Sequence, residues 1–261
     1  MAGQTPKLNR YVFAVWRRNL LVWRRIMWAS LTTNVADPLL FLFAFGYGLG
    51  AVIDQIAGLS YLAFVVPGMM AYATMFAASF ETTISTYARI SMQGTWNAIL
   101  ATPVTLTELI LGEALWATTK GVFATLCVLG VGFVWGGILS PQGALIAIPV
   151  LALGAFCFAC CGLAATAHAG SWDFFAYFFT FWVTPMFVFC GVFFEVTRFP
   201  WFVQLAAWLL PMTHLIAVVR PLVTATALDP VVALGHVAYL AALAVIAFWL
   251  ARRRFARRVF D

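Results

Sequence analysis

A chain of 261 residues that is 64% hydrophobic and only 9% charged lies outside the range of soluble domains, which carry about 25% charged residues. A water-soluble fold of this length could not keep so much apolar surface from solvent, so the bilayer is its natural surrounding. The net charge of +6 does not point to nucleic acid, because eleven of the fifteen basic residues sit at the two ends: Lys7, Arg10, Arg17, Arg18, Arg24 and Arg25, then Arg252, Arg253, Arg254, Arg257 and Arg258.

Repeated apolar runs of about 20 residues match the length that crosses a hydrocarbon core as helix. A membrane barrel would instead alternate apolar and polar positions. The amino terminus is polar and basic without a short apolar region and cleavage site, so no signal peptide is expected. Residues 8–28 are too basic to span; their arginines alternate with Val15, Trp16, Leu20, Leu21, Trp23 and Ile26. On a helix this makes one basic and one apolar side, which suits a helix in the headgroup plane or a plain juxtamembrane anchor.

The spans are expected at 34–52, 61–82, 108–135, 144–166, 174–194 and 231–249. Asp37 falls in the opening turn of the first, where the helix dipole favours an acid. Gly46 and Gly50 share a face within it, a small-xxx-small pattern that admits a close neighbour. Pro67-Gly68 is expected to bend or loosen the second span. The polar stretch 87–107, which contains Arg89, follows it, and Thr105-Leu-Thr-Glu108 reads as a capping box opening the third helix. Pro185 lies inside the fifth span. Residues 195–229, interrupted by Pro200, Pro211 and Pro221, read as two short helices, about 200–209 and 213–223, dipping into the outer leaflet.

The organisation expected is therefore an all-α integral membrane protein with six transmembrane helices. An amphipathic interfacial helix lies in a cytosolic segment 1–28, a re-entrant outer hairpin precedes the last span of the transmembrane unit 29–250, and 251–261 is a basic cytosolic tail. With six spans, twelve Lys and Arg fall on the side of both termini and two, Arg198 and Arg220, on the other, so the positive-inside rule puts both termini in the cytosol.

No catalytic constellation emerges. His168 and His214 fall on opposite sides of the membrane, and His236 has no acidic neighbour in sequence. Gly112 to Lys120 lacks the second glycine of a phosphate-binding loop, so no nucleotide site is expected on this chain. Cys157-x-x-Cys160-Cys161 has metal-like spacing, but without a His or acid beside it reads as small soft residues on a membrane helix, and no metal is expected. Three charges, Glu81, Glu113 and Lys120, fall within or at the ends of spans, where each costs on the order of 3 kcal/mol without a partner or water. Glu113 and Lys120 share a helical face about two turns apart and reach one another only through long side chains or water. A polar path through the membrane and structural pairing within the bundle both fit Glu113, while pairing suits Glu81 better. Between turn residues, Trp96, Ile99 and Leu100 at i, i+3, i+4 spacing form an apolar ridge facing the cytosol. A partner groove or the membrane surface would cover it.

The order of these features resembles the ABC-2 family of exporter permeases. The resemblance rests on the basic amino-terminal helix, Pro38-Leu-Leu, Phe45-Gly-Tyr-Gly-Leu-Gly50, and Tyr61 with Val66-Pro67-Gly68. Gly94-Thr-Trp-Asn-Ala-Ile-Leu-Ala-Thr-Pro103-Val and the hairpin before the last span complete it. It covers nearly the whole chain and is most similar to nodulation-factor (lipo-oligosaccharide) export permeases over 61–113.

The resemblance implies an inner-membrane exporter subunit that pairs with a second permease copy, as a homodimer, and binds two copies of a separate ATPase, which holds the ATP and Mg; no cofactor on this chain and no nucleic acid partner is expected. It maps a coupling helix onto Gly94, Thr95, Trp96, Asn97, Ile99 and Leu100. An outer gate maps onto Glu195 to Val223, with Glu195, Arg198, His214 and Arg220, and the substrate path follows the dimer interface. The implied substrate is amphipathic, a lipo-oligosaccharide, glycolipid or similar molecule. Two rivals stand beside it: a proton-coupled secondary transporter using Glu113 and Lys120, which would show duplicated halves, and a membrane-embedded transferase, which would need clustered acids or histidines.

Overall fold

The computed structural model describes residues 10–260. Their elements are almost all helical, in the order α1 (Arg10–Arg25), α2 (Met27–Phe43), α3 (Tyr61–Phe80), α4 (Thr86–Ser91), α5 (Thr95–Leu100), α6 (Leu106–Val134), α7 (Pro141–His168), α8 (Asp173–Phe178), α9 (Thr184–Phe189), α10 (Trp201–Trp208), α11 (Pro211–Thr224) and α12 (Pro230–Phe260). A two-stranded antiparallel hairpin, β1 (Gln55–Ile56) and β2 (Leu59–Ser60), joins α2 to α3.

Three helices run on through a π-helical turn: α2 through Ala44–Leu49, α3 into α4 through Glu81–Ser85, and α8 into α9 through Phe179–Val183. Such widened turns leave i→i−4 bonding and often mark functional places. The third has a local cause. Pro185 has no N–H to give and its ring crowds the carbonyl four residues back, which widens the turn before α9. Pro67, by contrast, sits inside an unbroken α3, and the irregularity of that span comes later, at Glu81. The Pro67-Gly68 pair acts instead through its glycine, where a Cβ would lie 2.9 Å from the Val192 Cα.

Among the described residues, four helices are long and apolar enough to cross a bilayer: Tyr61–Ser91, Leu106–Val134, Pro141–His168 and Pro230–Arg258. The hairpin α10–α11 bends by 85° and adds a fifth only if the bent pair is one span. Ala36–Leu49 and Asp173–Phe189 are shorter apolar helices, so the first and fifth expected spans are shorter here than their hydropathy alone indicates. The first also begins elsewhere. Its helix starts at Met27, so Asp37 stands exposed in the middle of α2, away from any free amino end.

α3 is the centre of the bundle, buried on nearly all sides, with α6, α7 and α11 packed around it. α12 lies at the edge along α7. Among apolar helices in lipid, close packing and interhelical hydrogen bonds replace the hydrophobic drive. The Thr125 hydroxyl donates to the Met70 carbonyl at 2.9 Å, and Thr166 to the Thr82 carbonyl at 2.7 Å, tying α6 and α7 to the α3 span. Where α7 crosses that span, a Cβ on Gly162 would lie 2.1 Å from the Thr82 Oγ1.

The expected small pair divides its roles. A Cβ on Gly46 would meet the Leu62 side chain of α3 at 2.9 Å, whereas one on Gly50 would lie 2.1 Å from the chain's own Gly46 carbonyl. Gly46 therefore serves helix approach, and Gly50 serves the widened turn. The capping box at α6 forms as the residues predict: Glu108 accepts the Thr105 backbone N–H at 2.8 Å, and the Thr105 hydroxyl oxygen accepts the Glu108 N–H at 3.3 Å.

Candidate functional site, a buried ion-pair network beside α1

The π-turn at Glu81–Ser85 widens the α3 span, and the Thr86 hydroxyl donates to the Glu81 carbonyl five residues back at 3.0 Å. It turns Glu81 and Arg89, eight residues apart in one span, toward α6. Arg89 Nη2 donates to Glu81 Oε1 at 2.8 Å and to Glu113 Oε2 at 2.7 Å. Lys120 Nζ donates to Glu81 Oε2 at 2.7 Å, and the Trp116 indole N–H to Glu81 Oε1 at 3.0 Å. Two acids and two bases thus form one chain, Lys120–Glu81–Arg89–Glu113, with Glu113 fully buried.

Glu113 and Lys120 do not pair with each other. About 10 Å of helix separates them, and each finds its counter-charge on the α3 span instead. Arg89 is the residue that the sequence reading leaves in a polar loop. In the structure its helix continues through Ser91, so its side chain is enclosed and joins the two acids. The signal for it is the eight-residue spacing from Glu81, about two helical turns. Breaking one member of such a network leaves an uncompensated buried charge and costs about 3–5 kcal/mol.

Against this network lies α1. Val12, Val15 and Asn19 form its buried stripe on α6, where a Cβ on Gly112 would lie 2.6 Å from the Val15 Cβ. The Trp16 N–H donates to the Thr119 hydroxyl at 3.0 Å. Arg18 donates to Asn19 Oδ1 at 2.8 Å and reaches the Thr95 hydroxyl at 3.5 Å. Burial, then the charge of Arg89, hold the Arg18 guanidinium below the usual arginine range, with Glu113 opposing.

The ridge on α5 turns out differently from its expected exposure. Gly94 precedes the helix in the left-handed region at φ 61°, and α5 then rolls Trp96 inward to 2% exposure, with its ring 4.7 Å from that of Phe255. Ile99 and Leu100 are half-buried against the core, Asn97 and Ala98 are exposed on α5, and Met92 and Gln93 are exposed just before it. The covering partner is the chain's own carboxyl end. Leu240, Ala244, Ala247, Ala251 and Phe255 make one buried stripe of α12 that continues through the arginine-rich tail. That stripe is legible in sequence at helical spacing, but the arginines around it mask it.

At the opposite end of the bundle, α10 and α11 form the hairpin at the expected positions. Arg220 is enclosed, donating to the Phe64 carbonyl at 3.1 Å and to the Gly191 carbonyl, with its guanidinium 3.7 Å from the Phe64 ring centroid. The half-buried Glu195 pairs with the exposed Arg198 at 3.2 Å, and its charge also reaches Arg220 without an ion-pair contact. His214 does not stand alone. Its Nδ1 lies 2.8 Å from His236 Nδ1, its Nε2 gives its proton to the Trp208 carbonyl at 2.9 Å, and its ring stacks on Tyr239 at 3.9 Å. His168 is elsewhere, on the Ala164 carbonyl. The five cysteines are free thiols, and no group of three or more metal-ligating residues occurs among the described residues.

Several long apolar helices around a buried charge network, with a sharply bent hairpin at the other end, define a multi-pass helical membrane protein. Its sequence places it further: the ABC-2 type transporter family profile matches residues 10–223, and the chain belongs to that family. It is 40% identical to Nodulation protein J of Rhizobium meliloti (strain 1021) over 249 residues, 94% of this chain and 93% of that protein. Identity to Nodulation protein J of Bradyrhizobium diazoefficiens is 37% over 246 residues, with the same coverage. Inner membrane transport permease YadH of Escherichia coli (strain K12) is 25% identical over 204 residues, 78% of this chain and 79% of that protein.

Proposed function

We propose that this permease is the membrane half of an ATP-driven exporter that moves an amphipathic substrate, of the lipo-oligosaccharide or glycolipid kind, outward across a bacterial inner membrane. Two permease copies, each with six spans counting the shorter apolar helices, pair with two copies of a separate ATPase. Both termini face the cytosol. The observation that carries the reading is α5, a one-and-a-half-turn helix between the α3–α4 span and α6 with Asn97 and Ala98 exposed, and Gln93 exposed in the turn before it. Beside it a groove of about 470 Å³ runs between α5 and α1, lined by Ala14, Arg18, Thr95, Ala98 and Thr102 among others. A rigid knob next to a groove suits a partner that must push on the helices.

The buried face of α5 changes the coupling assignment in detail. Trp96, Ile99 and Leu100 fasten α5 to the bundle, and the ATPase meets Gln93, Asn97 and Ala98. The proton-coupled alternative needs Glu113 or Lys120 to exchange protons, whereas both are closed in ion pairs. The hairpin α10–α11 is the gate on the far side.

Affinity purification in mild detergent, followed by assay of vanadate-sensitive ATP hydrolysis, tests the core of the reading. A Walker-motif protein should co-purify in stoichiometric amount. Ala98→Glu should lower that hydrolysis about tenfold, equivalent to about 1.4 kcal/mol of lost docking, while membrane insertion stays intact. A chain that purifies alone under several gentle conditions, or proton-dependent transport without ATP, overturns the exporter reading.

A further inference from the structure

We propose that the cavity between α1, the α3–α4 junction and α6 binds one phosphodiester headgroup of an anionic membrane lipid. The cavity has a volume of about 430 Å³, and Arg18, Asn19, Glu81, Arg89, Trp116 and Lys120 are among its lining residues. This lies within the range of small-molecule sites. The inference is independent of whether the chain exports anything.

Unspent donors are the first argument. Asn19 is only 4% exposed, and its Oδ1 is fixed by the 2.8 Å bond from Arg18, so its Nδ2 must be the end without a partner. Arg89 Nε is likewise buried and without a partner. Buried N–H groups left unmade are costly, and native structures rarely tolerate them without an acceptor. Two donors on facing elements of one cavity call for an acceptor-rich guest.

Charge is the second argument. Arg18, Arg89 and Lys120 face Glu81 and Glu113, which leaves one positive charge in excess. Arg89 and Lys120 pair with the carboxylates, of whose oxygens only Glu113 Oε1 lacks a partner, while the hydrogen bonds of Arg18 go to the neutral groups of Asn19 and Thr95. A single negative charge neutralises the site, and Arg is suited to phosphate oxygens. A zwitterionic headgroup would bring its own cation against Arg18.

The mouth supplies the third. Val22 and Ile26 line the cavity and are about half exposed, on the helix whose basic and apolar sides suit a headgroup plane. Acyl chains would leave along these two side chains while the phosphate sits inward on Arg18 and Asn19. A free phosphate ion has the same oxygens and no use for this apolar exit.

Native mass spectrometry of the full chain from mild detergent, titrated with phosphatidylglycerol, phosphatidylethanolamine or inorganic phosphate, tests the proposal. One phosphatidylglycerol should bind at about tenfold lower concentration than phosphatidylethanolamine, the size expected of a charge-assisted hydrogen bond. Arg18→Gln and Asn19→Leu should abolish that preference, and Arg18→Lys should keep most of it. Unfolding midpoints in the same detergent identify any variant that fails to fold. Val22→Asp then replaces it, setting a carboxylate at the exposed mouth without touching packed residues, and it should also abolish the preference. Equal uptake of the two lipids, or a preference unchanged in the folded variants, overturns the site. Displacement of the lipid by inorganic phosphate, with a phosphate adduct in its place, overturns the lipid assignment.

Discussion

Arg89 and Arg220 are both arginines enclosed in the same bundle, and they are held in different ways. Arg89, at the α1 end, sits between two carboxylates, and one of these also holds Lys120. Arg220, at the hairpin end, has carbonyl oxygens and the Phe64 ring around it and forms no ion pair among the described residues. At the α1 end charge neutralises charge, so removing any one member strands another. At the hairpin end a cation is solvated by dipoles and an aromatic face, so its loss leaves carbonyls short of a donor, while the nearby Glu195 keeps its pair with Arg198. The first arrangement fixes which helices meet; the second clasps the hairpin to α3 and to the turn after α9.

The largest effect should come from Arg89→Met, which leaves Glu113 without a counter-charge and Glu81 with one cation. Stability should fall by about 3–5 kcal/mol, read as a lowered unfolding midpoint in detergent. A fall of under about 1 kcal/mol would break the comparison, because Arg89 would then be as dispensable as a surface charge.

Next, Lys120→Met and Glu81→Gln should be non-additive, with a coupling of about 1–3 kcal/mol in a double-mutant cycle. Additive losses would mean the 2.7 Å contact carries no energy of its own.

Arg220→Lys should cost about 1–2 kcal/mol, because lysine keeps the charge but loses the planar fork and the stacking on Phe64. The same exchange at Arg89 should cost less, since there one Nη2 serves both acids and a single ammonium can take its place. Equal costs at the two positions would remove the distinction between carboxylate and carbonyl surroundings.

The smallest effect should be His236→Phe, at about 1 kcal/mol. It removes the hydrogen bond to His214 while keeping a ring beside Trp208. Its readout is protease susceptibility of the α11–α12 connection, which should rise if the pair fastens the hairpin to α12.

Much of the bundle is legible in the chain. The four long apolar helices, the Thr105–Glu108 box and the two short helices after 195 follow from hydropathy, capping chemistry and proline positions. The individual charges Glu81, Glu113 and Lys120 also announce themselves, since lipid tolerates few of them. Their partners do not. Glu113 and Lys120 share a face of α6, yet a π-turn in another helix brings Glu81 and Arg89 between them. A regular 3.6-residue period does not foresee one widened turn. Trp96 fails for a related reason: its spacing shows an apolar face but not what covers it, and the cover is Phe255, more than 150 residues on.

By itself the sequence determined the solvent of this protein, the order of its helices and the positive bias of its ends, because these depend on composition summed over about 20 residues. Only the tertiary structure decided that Arg89 lies inside the bundle, that His214 meets His236, and that the α5 ridge faces inward. Each of these depends on the rotation of one helix against another, and a single added residue in a turn changes that rotation by about 100°.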